Sequence, residues 1–503
     1  MFLIDRIKII LQMISAQKNS DFKNILFILP DDNFKLLNIC QWYEHINIEI
    51  IPNDNEQTHI LRDLISNGVI NNLTILEKNY IITKNYDFIY IHDLNQARYH
   101  LGFQMLELLI SSINEKGILL MNHLTRPEPD KLVRMRDLVN LHTKDETDEG
   151  TKIARAREII EFLSRADDHN NHKTIWPECH KILNDWSNEK AFAFLFWKGY
   201  NCNAFIEEVN QLAMLGFHYC ANLDFKRMLN QDLPHNTQAF LKNSTNLLVN
   251  EQYIDTILEL PARESIFIRS TNNINIDHRI EPERLMEYAI ISRMKIPLEL
   301  KDLLNNEPLS LMVSENTSIT IDDVLVKIAF KILSEAYPSK LDIKYLTKSC
   351  VEYAKQSSVL INEDIGAVQA YLTSQILILY LGLTPGIIEL LDHNTPIDIR
   401  NTFNYKPRVS RLNRYLVKTF GKVISIDSKF IGLDDVGIYI CSSLNGEYTI
   451  DEVTSALLRH LQNDTELCKM VLKDSEQGNM LYETSILVQK TLGYLVNYGI
   501  LLN

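Results

Sequence analysis

Residues 24–29 read Asn-Ile-Leu-Phe-Ile-Leu, and the run stops at Pro30-Asp31-Asp32. A continuous apolar run closed by a proline and two acids describes a strand buried on both faces that ends in a loop. Four similar runs follow: residues 46–51 (INIEII), 72–76 (NLTIL), 86–92 (YDFIYIH) and 117–121 (GILLM). Helix-length segments separate them at 34–43, 56–66 and 99–113. Strand, helix, strand at this spacing predicts βαβ units, a mostly parallel sheet and helices on both of its faces.

Working outward, the chain has 503 residues, enough for about three domains. Hydrophobic residues are 46% and charged residues 23%, a globular composition that argues against general disorder. Acidic residues outnumber basic ones, 65 to 51, for a net charge of −14, which disfavours nucleic acid as the main partner. The N-terminus, from Met1 to Lys8, is apolar but broken by charges and reads as an amphipathic helix, not a secretion signal. The most membrane-like stretch, 376–391, contains Pro385, Gly386 and Glu389 and is too short to span a bilayer. It reads as a buried helix, a turn and another helix. Seven scattered cysteines without a C-x-x-C fit a reduced, cytoplasmic setting.

After residue 130 the pattern changes. Residues 131–163 are helical and charged, and 150–260 read as almost wholly helical. Residues 285–400 mix short strands and helices. The last hundred residues hold a basic helix (Arg408, Arg411, Arg414, Lys418, Lys422), a β-like pair around 424–438, a turn at Gly446 and two more helices. That order predicts a winged-helix-like α+β module.

In an open α/β sheet, ligands sit beyond the carboxyl ends of the strands. Those ends hold Leu29 and Asp31 after the first strand, Asn53 and Asp54 after the second, and His92 and Asp93 after the fourth. An acid or Asn after the second strand is the usual partner of a ribose hydroxyl. The first loop, Leu29 to Asn33, has no glycine, and Gly68 is the only glycine before residue 100. Pro30 lacks an N–H, and Asp31 and Asp32 repel phosphate, which speaks against a dinucleotide but not against a sulfonium ligand. His169, His172, Cys179 and His180 match no standard zinc spacing, and no metal site is expected.

Further motifs carry a family resemblance. Residues 216–221 (GFHYCA), Asp232-Leu233-Pro234, and Asn250-Glu251-Gln252-Tyr253-Ile254-Asp255 with Arg263 and Arg269 resemble the methyltransferase regulatory domain. The helix at 154–163 is similar to that family's linker. Lys406-Pro407-Arg408 through Arg414, Leu433-Asp434-Asp435 and Leu444-Asn445-Gly446 resemble its C-terminal module. In the family this domain follows a class I S-adenosylmethionine methyltransferase fold, in bacterial protein-lysine methyltransferases that include those acting on rickettsial outer-membrane proteins. The resemblance implies a Rossmann-like methyltransferase-type domain over 1–135, a helical regulatory domain over 136–275, a mixed α/β domain over 276–400 and a winged-helix-like domain over 401–503. It also implies S-adenosylmethionine as cofactor, a protein substrate or partner, and a homodimer. The family's cofactor positions fall on Leu29, Asp31, Asn53, Asp54, His92 and Asp93. The sequence departs from the family's pattern at those places and at 121–129, where Asn122 and Pro127 survive but the expected Tyr, Gly and Trp do not. Two readings follow: an active methyltransferase with an unusual cofactor loop, or a non-catalytic relative that binds or regulates a protein. No residue is singled out as the catalytic base.

Overall fold

A computed structural model of the chain describes residues 3–14, 22–30, 34–52, 56–77, 82, 84–126, 130–166, 175–197, 203–224, 227–228, 233–242, 246–270, 276–278, 282–294, 296, 304, 307–314, 317–356, 364–382, 388–393, 401–463, 468 and 479–502. Its largest sheet has seven strands: β1 (Asn24–Ile28), β2 (Asn47–Ile51), β3 (Leu73–Ile75), β4 (Tyr86–Ile91), β5 (Ile113–Leu124), β6 (Phe217–Asn222) and β7 (Ala262–Arg269). Their order is β3-β2-β1-β4-β5-β7-β6. Neighbours among the first five run parallel. β7 is antiparallel to both β5 and β6.

The apolar runs become strands because both faces of the sheet are covered. Along β1, Ile25 and Phe27 enter one core with the helices Leu3–Met13 and Phe34–Trp42. Leu26 and Ile28 enter a second core with the helices Phe103–Ser111 and Phe205–Met214. Alternate side chains thus serve opposite layers, the period-two rule of a strand.

The structure corrects several expectations. The segment read as one helix over 99–113 is two, Leu94–Leu101 and Phe103–Ser111, broken where Gly102 takes φ +78°. The stretch read as almost wholly helical over 150–260 contains β6, so the sheet draws its last two strands from the region assigned to a helical domain. Residues 376–391 are not helix-turn-helix: the helix Ile365–Gly382 is followed by the strand Ile388–Asp392. The β pair of the C-terminal unit ends at Gly432, and a helix starts at Asp435. The helix Leu3–Met13 is present, but it is buried on most of its surface, and the carboxylate of Asp5 accepts a hydrogen bond from the Tyr43 hydroxyl.

Between β5 and β6 the chain leaves the sheet. Helices Asp130–His142, Glu149–Ala166, Trp176–Asp185 and Asn188–Phe196 pack around their own core of Met135, Val139, Ile160, Leu183 and Phe194. The ends of this excursion meet, since the Arg126 amide donates to the Asn203 carbonyl at 3.3 Å. Beyond β7, the strand Tyr288–Ser292 lies between Leu341–Asp342 and Ile388–Asp392. The C-terminal unit joins the helices Arg411–Phe420, Asp435–Ser443, Ile450–Asn463 and Met480–Asn497 to a hairpin of Lys422–Ile424 and Phe430–Gly432. Its last strand, Leu501–Leu502, pairs with Arg408–Val409, so Arg408 lies on a strand and not on the basic helix. Among the described residues no helix is long and apolar enough to cross a membrane.

Candidate functional site

Backbone hydrogen bonds line up the carboxyl ends of the parallel strands. Leu76 donates to Ile50 at 2.8 Å, Leu29 to Ile51 at 2.8 Å and His92 to Ile28 at 3.2 Å. The chain leaves β1 through Leu29 at φ +49°, a left-handed turn that costs a side-chain-bearing residue roughly 1–2 kcal/mol. Leu29 itself is buried in the apolar core, so only its backbone faces the strand ends. Asp31, Asn53 and Asp54 lie outside the described residues.

After β4, His92 is half-buried, and its ring stacks on Tyr90 with centroids 5.5 Å apart. Asp93 caps the helix Leu94–Leu101. Its carboxylate accepts from the Asn95 amide at 2.9 Å and the Gln96 amide at 3.0 Å. That acid is committed to holding the loop in place.

One pair at this edge escaped the sequence reading. Tyr90, two residues before His92 on β4, donates its hydroxyl to Glu264 Oε1 at 2.8 Å. Glu264 is half-buried near the start of β7, directly opposite Asn122 on β5. Tyr90 and Glu264 are 174 residues apart, and only the reversed β7 brings them together.

The opposite face carries a buried polar network. Arg263, adjacent to Glu264, is 2% exposed. It pairs with Glu251 and, at 3.0 Å, with Asp255. Its Nη2 donates to the Tyr219 hydroxyl at 3.2 Å, and its guanidinium lies 4.0 Å from the centre of the Phe205 ring. The Thr125 hydroxyl donates to Asp255 at 3.1 Å. Burial pushes the Asp255 carboxyl up to about 6, against the pull of Arg263. His123 touches Ser265 at 3.1 Å; burial, helped by the charges of Arg263 and Arg98, pushes its imidazole down to about 3. The Glu-Gln-Tyr-x-Asp run thereby acquires a physical meaning. Glu251 and Asp255 stand four apart on the helix Leu247–Ile257 and reach the same arginine.

Of the zinc candidates, Cys179 and His180 sit on the helix Trp176–Asp185, and His169 and His172 lie outside the described residues. Burial raises the Cys179 thiol to about 11. Among the described residues no three His, Cys, Asp or Glu side chains are grouped to hold a metal.

No family model matches the chain. A curated relative, the uncharacterized protein RP789 of Rickettsia prowazekii (strain Madrid E), is 22% identical over 254 residues. That match covers 47% of this chain and 44% of the relative, less than half its length. The solved structure of PKMT2 from Rickettsia typhi superposes with a TM-score of 0.73 at 17% identity, covering 99% of this chain and 98% of the other. The structure of the same protein in complex with AdoHcy gives a TM-score of 0.74 at 16% identity, with the same coverage. The likeness runs over nearly the whole of both chains, and the chain has the class I methyltransferase-like fold of this rickettsial protein along its length.

Proposed function

We propose that the chain is an S-adenosylmethionine-dependent methyltransferase of the protein-lysine type. A fold supports many chemistries, so the reading rests on one local observation: the Tyr90–Glu264 pair at the carboxyl edge of the sheet, beside His92. S-adenosylmethionine, when bound, supplies the methyl group. The backbone at Leu29, the loop containing Asp31, the residues Asn53 and Asp54, and His92 would hold it. Glu264 then has the charge to receive a lysine ammonium and to hold the proton that the amine must shed. Tyr90 fixes the orientation of that carboxylate. The likeness to a protein solved with AdoHcy supports the choice of ligand.

Calorimetry with S-adenosylmethionine and S-adenosylhomocysteine tests the first half, and methyl transfer to lysine-bearing peptides tests the second. We expect saturable binding of both ligands. We expect Glu264→Gln to keep that binding while transfer falls on the order of 10²-fold. A wild type that binds neither ligand would sink the enzyme reading.

A second reading, a non-catalytic relative that binds or regulates a partner protein, is favoured by the glycine-free, doubly acidic loop at 29–33. It predicts no ligand binding and a stable complex with a protein partner. Both readings include a homodimer, checked by analytical ultracentrifugation. Both also include a cytoplasmic location, in keeping with six described cysteines that are all free thiols.

A further inference from the structure

At the end of the sheet opposite the carboxyl ends of β1, β2 and β4, a cavity of about 660 Å³ opens between two parts of the chain. One wall is the end of the helix Phe34–Trp42 with the approaches to β2 and β3. The other is residues 408–412 and Leu502 of the C-terminal unit. The volume lies within the roughly 300–1,000 Å³ usual for small-molecule sites.

Arg408 and Arg411 stand in that wall. Both are exposed, and among the described residues neither makes an ion pair or a side-chain hydrogen bond. Their neighbour Arg414, by contrast, is tied down by the Val409 carbonyl at 3.3 Å. In a chain of net charge −14, two guanidiniums without an ion pair make this cavity a locus of positive charge that an anion would neutralise. Glu44 lines the facing wall but pairs with neither arginine, so the two cations outnumber the one acid.

A third element adds to this charge. The helix Arg411–Phe420 begins in the cavity wall. Ser410 caps it, accepting from the Asn413 amide at 3.1 Å and donating to Gln41 at 2.9 Å. The amides of Arg411 and Leu412 have no acceptor within the helix, and the positive end of its dipole lies there. Separate donors from two guanidiniums and a helix start suit a group with three acceptor oxygens better than a carboxylate with two.

We propose that this cavity binds a small phosphorylated molecule, up to a nucleoside monophosphate in size. Arg408, Arg411 and the first turn of the helix hold the phosphate. The half-buried indole of Trp42 and the ring of His45 flank the organic body. Trp42 Nε1 is buried without a hydrogen-bond acceptor, an unmet donor beside the site. The site lies at the other end of the strands from the methyl-transfer edge and does not depend on the function proposed above.

The test is calorimetry on the full chain with inorganic phosphate, ribose 5-phosphate and AMP, at constant ionic strength in chloride. We expect ribose 5-phosphate or AMP to bind saturably and to raise Tm. In the Arg408→Gln/Arg411→Gln variant the Kd should rise by about tenfold or more. Both side chains are exposed, so that variant should fold, and an unchanged Tm without ligand verifies it. No saturable binding of any probe up to about 10 mM would overturn the proposal, as would binding that survives the double substitution. Inorganic phosphate binding as tightly as both organic probes would show an adventitious anion site only, which also overturns it.

Discussion

Arg263 is a charge taken out of water and given two carboxylates and a ring face in exchange. Such a group is costly to strand, because removing one partner leaves the others buried and unpaired. Arg263→Met should therefore destabilise by about 3–5 kcal/mol in urea melts. The triple change Glu251→Gln/Asp255→Asn/Arg263→Met, which removes every charge, should cost less than the single one; a larger loss would refute this account. The same network sets a pH dependence. The His123 imidazole falls from its usual 6.5 to about 3 on folding, so the stability it contributes is full above 6.5 and is lost as pH drops toward 3. The Asp255 carboxyl rises from 3.8 to about 6, so its unfavourable ionisation is relieved as pH drops through 6 toward 3.8. Between pH 6 and 4 the two slopes oppose. Asp255→Asn should unmask the histidine, steepening the loss of stability by about 1.4 kcal/mol per pH unit. Equal slopes in the two proteins would refute the assignment. Of the expected site residues, Leu29 faces the strand ends only through its backbone and Asp93 proves to be a cap. Glu264 was illegible because the sequence gives no sign that β7 lies beside β5.

β1, β2, β4 and the middle of β5 are readable because they are buried on both faces, which writes a continuous apolar run, while the edge strand β3 is short and buries only Leu73 fully. β6 (FHYCAN) and β7 (ARESIFIR) hide for the opposite reason. They supply Tyr219, Arg263 and Ser265 to a buried polar network, so polar residues stand where a strand pattern expects apolar ones. The strand Ile388–Asp392 reads as helix in the sequence because a short apolar run fits either period. The break at Gly102 has a backbone cause. Its φ of +78° and ψ of 157° lie in a region nearly closed to residues with a side chain, while a Cβ there would touch nothing within 4 Å. Gly102→Ala should therefore cost about 1–3 kcal/mol from backbone strain alone, measured by chemical denaturation. A neutral result would mean that the two helices can fuse.

Across the whole molecule, the C-terminal unit has its own core around Val417, Ile440, Leu457 and Leu492, while its Leu412, Leu416 and Ile424 enter the core of the sheet domain and polar contacts add to that seam. Asn38 donates to the Ser425 carbonyl at 2.8 Å and to the Ser428 hydroxyl at 3.0 Å, and the Tyr415 hydroxyl reaches Asp63 at 2.5 Å. Asn38→Ala removes a buried donor, although the Ser425 carbonyl keeps its bond from the Ser428 amide. It should cost about 0.5–1.5 kcal/mol and raise amide exchange in the hairpin 422–432 before it does so in β1; uniform acceleration across both would contradict that local loosening. That the N-terminal half and the C-terminal unit could each be outlined from pattern, but not their contact, reflects the distance in sequence between the side chains that make it, such as Asn38 and Ser425 or Asp63 and Tyr415. The four-helix excursion between β5 and β6 leaves and re-enters where Arg126 meets Asn203. A segment whose two ends touch and whose core is largely its own has the makings of a portable cassette. Replaced by a short bridge, it should leave the host sheet to close, at the loss of the ring contacts of Trp197 with Tyr99 and Phe103.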